Sequence, residues 1–336
     1  MKPTFGSLFA GVGGFDMGME QAGWECKFQV EWDKHCRSVL DLHWSGVEKW
    51  SDVRNVNGRF IPPVDCIIFG SPCQDLSKAG NRAGLSGDRS SLFFEAIRII
   101  KEMRDATGGT FPKWAIWENV AGALDSNRGA DFGQVLDTLA EAGAVVIEWK
   151  LLDSKYFGKP QVRRRVFVIS GFISDSRSPD SCKIFPILES SEGHIQKGDT
   201  VAFYRSHGRL DQFGIGVTPP LKTVATVCVV SETLRPRELT PLECERLQGY
   251  PDDHTRWAAD KTELSDAQRF KQVGNGVTTP VAKWVGEHLM TAHMAVHSVT
   301  PIGHTEIKQQ TEEKENASNT KTKTRQHKLA VATLEG

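Results

Sequence analysis

Several familiar signatures are missing from this 336-residue chain. None of its seven cysteines (Cys26, Cys36, Cys66, Cys73, Cys182, Cys228, Cys244) is spaced as CxxC, and the number is odd. Neither a zinc site nor a disulfide framework is therefore supported, and the histidines show no metal spacing. Free thiols point to a reducing compartment, and the expectation is a soluble cytoplasmic protein. No apolar run reaches membrane-spanning length, and MKPTFGSLFAGVGG at the start has no h-region with a cleavage site. Charge of one sign is also lacking: 41 Lys and Arg stand against 42 Asp and Glu. Any contact with nucleic acid must then come from clustered charge rather than from an overall basic field. No internal repeat is visible. What remains is a 39% hydrophobic chain, long enough for one large or two modest domains.

The most informative stretch is Asp65–Ser77, DCIIFGSPCQDLS. A short apolar run, Cys66–Phe69, closed by Gly70, Ser71 and Pro72, reads as a buried parallel strand. The next residue, Cys73, then falls at the carboxyl edge of a sheet, where open α/β folds place their ligands. Pro72 has a fixed φ and keeps Ser71 out of helical geometry, which aims the turn. The polar segment Lys78–Ser90 follows, with three glycines and the cations Lys78, Arg82 and Arg89. A cysteine at the base of a basic, glycine-rich loop points to covalent chemistry on an anionic substrate.

Earlier in the chain, Thr4–Phe9 reads as a strand, and Ala10-Gly11-Val12-Gly13-Gly14 turns into a helix ending near Ala22. Glycines there allow close approach of a ligand at a helix N-terminus. The pattern is not GxGxxG, because Asp16 takes the last glycine position, so a dinucleotide is disfavoured. A second strand, Phe28–Glu31, ends in an acid about 20 residues past Gly11, the offset at which a ribose hydroxyl is held. Helix 33–43 and a third strand near Val47 lead to Asp52. An adenosine-type cofactor fits these parts; a structural glycine turn with solvent-facing acids is the competing reading. Leu92–Met103 reads as a helix, and Trp114–Trp117 as a fifth strand running into Glu118-Asn119-Val120. The order 3-2-1-4-5 brings the glycine loop, Cys73 and Glu118 to one edge.

Helix 132–141, strand 145–152 and an antiparallel strand 166–170 follow. Before the last stands Gln161-Val162-Arg163-Arg164-Arg165, whose arginines alternate faces on a strand. One or two should enter the cleft, with Arg164 the exposed member; a solvated basic edge is the alternative. Residues 1–172 are taken as the catalytic and cofactor-binding domain, and 173–236 as a small, mostly irregular or β lobe. Residues 237–297 form a bracing segment and returning helix. They include a capping box at Thr240 and Glu243, a turn at Gly274-Asn275-Gly276, and helix 277–289. Residues 298–336 are a polar tail expected to be disordered. Trp24, Trp32, Trp44 and Trp50 are read as core, with Trp32 also a candidate cover for an adenine. Cys26, Cys36, Cys66, Cys228 and Cys244 are read as packing.

Six motifs stand in one order: SLFAGVGGFDMG, GSPCQDLS, ENV, QVRRR, RELTPLECERLQGYPD and QVGNGVTTPVA. In this the chain resembles the DNA (cytosine-5)-methyltransferase family over roughly residues 4–290. The resemblance implies an α/β fold: a doubly wound, Rossmann-like methyltransferase sheet with a small target-recognition lobe. It implies S-adenosyl-L-methionine as methyl donor and double-stranded DNA as substrate, with no metal and no membrane. It implies a monomer, with a cognate restriction endonuclease as a candidate partner. Cys73 would attack cytosine C6, Glu118 would bind the N3 edge, and Arg163 and Arg165 would hold the base and orient Glu118. Phe9, Ala10, Gly11, Gly13, Gly14, Glu31, Trp32, Asp52, Val53, Pro72, Leu92, Asn275 and Val277 would surround the cofactor. Gln74, Ser77, Lys78, Arg82, Arg89, Gln161 and Thr223 would meet the DNA. The 173–236 segment is short for the family, which implies a short or relaxed recognition site. A tRNA cytosine-5 methyltransferase of the same lineage and an inactive DNA-binding accessory are the alternatives.

Overall fold

The computed structural model describes residues 2–71, 91–173, 184, 201–206, 209–215, 227–230 and 236–297. Met1–Ala292 and His293–Gly336 are two compact units. The first is built on a seven-stranded sheet. Strands β1 (Thr4–Leu8), β2 (Glu25–Val30), β3 (Glu48–Trp50), β4 (Cys66–Phe69) and β5 (Trp114–Val120) run parallel. Helices α1 (Gly14–Gln21), α2 (Lys34–His43) and α3 (Ser91–Ala106) connect them. After α4 (Ala130–Glu141), β6 (Val146–Asp153) and β7 (Arg164–Gly171) complete the order β3-β2-β1-β4-β5-β7-β6. The expected 3-2-1-4-5 arrangement is present. So is the antiparallel pairing of the last two strands, and β7 also lies antiparallel to β5. A short connection suffices between antiparallel neighbours, so β6 returns as β7 without a crossover helix.

Every residue of β4 is buried, as a central strand covered on both faces requires. Ile67 and Phe69 pack with Phe93, Ile97, Ile100, Trp117, Phe132, Val166 and Val168 in the main core. Asp65 ties the strand starts together: it accepts from Thr4 N at 3.0 Å and from Lys113 Nζ at 2.7 Å. Asp33 caps α2 by accepting from His35 N and Cys36 N.

The lobe that follows contains a four-stranded antiparallel sheet in the order β11-β10-β8-β9, made by β8 (Val201–Ser206), β9 (Arg209–Ile215), β10 (Val227–Val230) and β11 (Pro236–Glu238). Helix α5 (Pro241–Gln248) starts with the expected capping box. Helix α6 (Asp266–Asn275) was not legible as a helix, because it presents few apolar residues and buries Arg269 and Gln272 instead. Gly274 and Asn275 are its last residues, where the sequence predicts a turn, and the helix ends at Gly276. Helix α7 spans Thr279–His297. Among the described residues no helix is long and apolar enough to cross a membrane.

Trp24 and Trp44 are buried and Trp50 is partly so, but Trp32 is 69% exposed. Its reading as a core residue is corrected: it follows the end of β2, at the ligand edge and outside the sheet's packed faces. Cys26, Cys36, Cys66 and Cys244 are buried free thiols.

Candidate active site

The carboxyl ends of β1, β2, β4 and β5 and the amino end of β7 meet at one edge of the sheet. The chain leaves β1 through Phe9 and Gly11, both at positive φ (59° and 58°). Phe9 is not a glycine, so its left-handed backbone is strain held in place by the surrounding fold. A Cβ on Gly11 would have nothing within 4 Å, so this turn presents open space to the cavity. On the other side of the loop the packing is tight. A Cβ on Gly13 would lie 2.4 Å from the Trp44 ring, and one on Gly14 would lie 2.3 Å from Tyr250 Oη.

Glu31, just past β2, accepts from Gly11 N at 2.8 Å and from Asp33 N at 2.7 Å. One bond to each oxygen leaves lone pairs on both for a further donor. Burial pushes its carboxyl pKa up, against the two amide hydrogen bonds. Asp52 holds Arg54 through both oxygens, Nε at 3.0 Å and Nη2 at 2.8 Å, and Arg54 keeps its carboxyl below the usual range. The same guanidinium lies 5.3 Å over the exposed Trp32 ring.

At the far end stands Glu118. In the β5–β7 pairing Val120 faces Arg165 and Glu118 faces Phe167, so Arg165 and Glu118 are diagonal neighbours on one face of the sheet. Such a diagonal is within reach of a long side chain. Arg165 Nε lies 3.0 Å from Glu118 Oε1. Burial raises the Glu118 pKa, and the charges of Arg165 and Arg163 oppose that rise. Arg163 is buried, and its Nη2 donates to the carbonyls of Gly274 at 3.0 Å and Gly276 at 2.7 Å. It anchors the C-terminal end of α6 to the sheet edge. Arg164 points outward and is exposed, as the alternation implied.

Ser71, two residues before Cys73, is also held here. Trp117 Nε1 donates to its hydroxyl at 3.0 Å, and Asn119 Nδ2 lies 3.5 Å from its carbonyl. One cavity of about 620 Å³ joins these groups, from Glu31, Trp32 and Asp52 to Ser71, Glu118 and Arg165. That volume is typical of a small-molecule site.

Eleven of the expected site residues line this cavity: Phe9, Gly11, Glu31, Trp32, Asp52, Val53, Leu92, Glu118, Arg163, Arg165 and Asn275. Ala10, Gly13, Gly14 and Val277 are not among its lining residues; the two glycines serve close packing instead. Gln161 is fully buried, with neither side-chain polar atom partnered. Its expected contact with DNA is corrected to an interior position, because the loop 154–163 folds it inward beneath Ser154, whose hydroxyl donates to its carbonyl. Pro72, Cys73, Gln74, Ser77, Lys78, Arg82, Arg89 and Thr223 lie outside the described residues, as does the tail 298–336. Sequence reasoning missed Arg54, Ser71 and Lys271 as lining residues. Arg54 follows Asp52 by two positions and Lys271 directly precedes the QVGNG turn, which were the available signals.

The model of the C-5 cytosine-specific DNA methylase family matches residues 3–202 and 174–291. The chain belongs to this family. A Type II methyltransferase of Bacillus subtilis (strain 168), M2.BsuMI, is 30% identical over 302 residues, covering 84% of this chain and 74% of the relative. The Type II methyltransferase M.HhaI of Haemophilus parahaemolyticus is 27% identical over 326 residues, covering 85% and 93%. Among solved structures, the Dnmt2 methyltransferase of S. pombe shares the fold. Its TM-score is 0.58 at 17% identity, covering 89% of this chain and all of that one. In this methylase the glycine-loop, ENV, QVRRR and QVGNG motifs all place residues on the one cavity.

Proposed function

We propose that this methylase transfers a methyl group from S-adenosyl-L-methionine to C5 of a cytosine flipped out of double-stranded DNA. The reading rests on one observation: a single cavity joins the Glu31–Asp52 end to the Glu118–Arg165 end, beside Ser71. The residues fit the donor. Glu31 has lone pairs left for the two ribose hydroxyls, Asp52 offers an acceptor for an adenine amine, and the open face at Gly11 leaves room for close approach. S-adenosylmethionine, when bound, supplies an electrophilic methyl group.

The protein's own groups supply the rest. Cytosine C5 is a poor nucleophile, so the ring must first be activated. The Cys73 thiolate adds to C6, and Glu118 donates a proton at N3, which places the new electron density on C5. A buried Glu118 with a raised pKa suits the protonated role, and Arg165 sets its orientation. After C5 is methylated, solvent water takes the C5 proton, N3 returns its proton to Glu118, and the C6–sulfur bond breaks to regenerate the thiolate. Flipping the base out costs a few kcal/mol and exposes C6. Lys78, Arg82 and Arg89 are proposed phosphate contacts, and the 173–236 lobe is proposed to read the flanking bases. The enzyme would act as a monomer in the cytoplasm, with a cognate restriction endonuclease as a candidate partner.

The test is incubation with labelled S-adenosylmethionine and unmethylated duplex DNA, beside Cys73→Ala and a tRNA control. Label in duplex cytosine that vanishes in the variant is the expected result. Label in tRNA alone would replace the DNA reading, and label that persists in Cys73→Ala would overturn the covalent route.

A further inference from the structure

The loop Gly11–Val12 is gripped from two sides. Toward the cavity, Gly11 N donates to Glu31 at 2.8 Å. From behind, the carbonyl of Val12 lies 2.7 Å from Nε2 of His254, a residue 242 positions later in the chain. A carbonyl can only accept, so Nε2 carries the proton. His254 is itself tightly held. Its ring stacks on His43 of α2 with centroids 4.1 Å apart at 14°, and His43 Nε2 donates to its carbonyl at 2.8 Å. Tyr250 packs at 5.1 Å and Trp44 at 6.2 Å. His254 Nδ1 is buried and has no hydrogen-bond partner.

We propose that His254, as its neutral Nε2–H tautomer, is a positioning residue for the cofactor loop. It fixes the Val12 carbonyl from behind and so keeps the neighbouring Gly11 amide turned to Glu31 and the cavity. This inference rests on the cofactor reading above, but the hydrogen bond itself does not. Protonation would put a second N–H, at Nδ1, into a dry site with no acceptor, and burial together with the facing His43 pushes the His254 pKa down to about 4. The titratable groups against the ring are His43 from α2 and Tyr250 from its own segment; burial raises the Tyr250 pKa far above neutrality. The latch is therefore closed at neutral pH and opens in acid.

Two measurements test this. Nitrogen-15 shifts of the histidine rings in the wild-type protein, with no cofactor added, should show one histidine held as the Nε2–H tautomer from pH 8 to about 5. Assignment comes from the loss of that signal in His254→Phe. An Nδ1–H or averaged ring would overturn the latch whatever the cofactor proves to be. Calorimetric titration with S-adenosylhomocysteine is the second. His254→Phe, which keeps the stack but not the bond, should weaken binding about fivefold to tenfold. kcat at saturating donor and KM for DNA should stay near wild type. His254→Gln, whose amide nitrogen sits at the place of Nε2, should recover most of the loss. As pH falls below 5 toward 4, the wild type should lose affinity beyond any loss shown by His254→Phe. Equal binding by the wild type and a folded Phe variant would overturn the proposal. Failure of the wild type to bind the probe would instead overturn the cofactor reading and leave the tautomer result standing.

Discussion

Arg165 Nε and Glu118 Oε1 lie 3.0 Å apart, on one face of the pairing between β5 and β7. Burial raises the Glu118 pKa and the arginine draws it back down, so the pair sets how far up in pH the carboxyl keeps its proton. If Glu118 acts as an acid, kcat declines as pH rises through its pKa. Removing the positive charge in Arg165→Met moves that alkaline limb to higher pH, although the rate at its plateau falls. Glu118→Gln should lower kcat by about 10²–10⁴-fold while S-adenosylhomocysteine binding holds. A pH–rate limb that stays put in Arg165→Met would exclude Glu118 as the titrating group.

Arg163 lines the same cavity, and its Nη2 donates to the carbonyls of Gly274 and Gly276. Arg163→Ala removes this donor from the Gly274 carbonyl and leaves the Gly276 carbonyl only Gln248 Nε2 at 3.4 Å, and is expected to cost about 2–4 kcal/mol of stability, read by urea denaturation. Arg163→Lys should be milder, since an ammonium can satisfy one carbonyl. If Arg163→Ala unfolds at the wild-type urea concentration yet loses activity, the anchoring role is wrong and direct contact with the base is favoured.

Gly11 and Gly14 separate binding from folding within four residues. Gly11→Ala meets no atom within 4 Å and carries only the cost of φ +58°, about 1–2 kcal/mol, so its main effect should be weaker cofactor binding. Gly14→Ala collides with Tyr250 Oη and with the Val277 carbonyl at 2.6 Å, so it should lower Tm by several degrees. Thermal melts and calorimetric titrations of the two variants check this. The reverse pattern would mean that Gly14, not Gly11, borders the cofactor.

Asp16 is fully buried beneath the same loop, where it accepts from Ser7 Oγ at 3.0 Å and Gln29 Nε2 at 2.8 Å. Burial raises its pKa from 3.8 to about 6. Below about pH 4 the group is protonated folded and unfolded, and its environment costs nothing. As pH rises through 6 the unfolded chain gains by ionising before the folded one can, and up to about 3 kcal/mol of stability is lost. Asp16→Asn keeps a neutral group in place and should stabilise the protein, more at pH 8 than at pH 5. Urea melts at the two values decide it; an equal effect at both would show that Asp16 does not titrate in this window.

The sheet's parallel half, the strand that ends before Cys73 and the capping box at Thr240 were all legible, because each depends on a local pattern of apolar runs, turn residues and caps. Six ordered motifs then pointed to the family, and Glu31, Asp52, Glu118, Arg163 and Arg165 do share one cavity. The alternation of arginines even separated exposed Arg164 from its neighbours. Tertiary structure alone decided what each of these groups faces. Glu118 meets Arg165 only because β7 pairs with β5 in one register, and Arg163 turns to a carbonyl pair 111 residues or more away in the chain. Gln161 went inside and Trp32 outside, against expectation, since burial depends on which loop folds over a residue. The His254–Val12 bond spans 242 positions and leaves no trace in any local pattern. Periodicity and turn chemistry act between near neighbours in sequence, whereas burial, ion pairing and hydrogen-bond partners are settled by elements that meet only after the chain has folded.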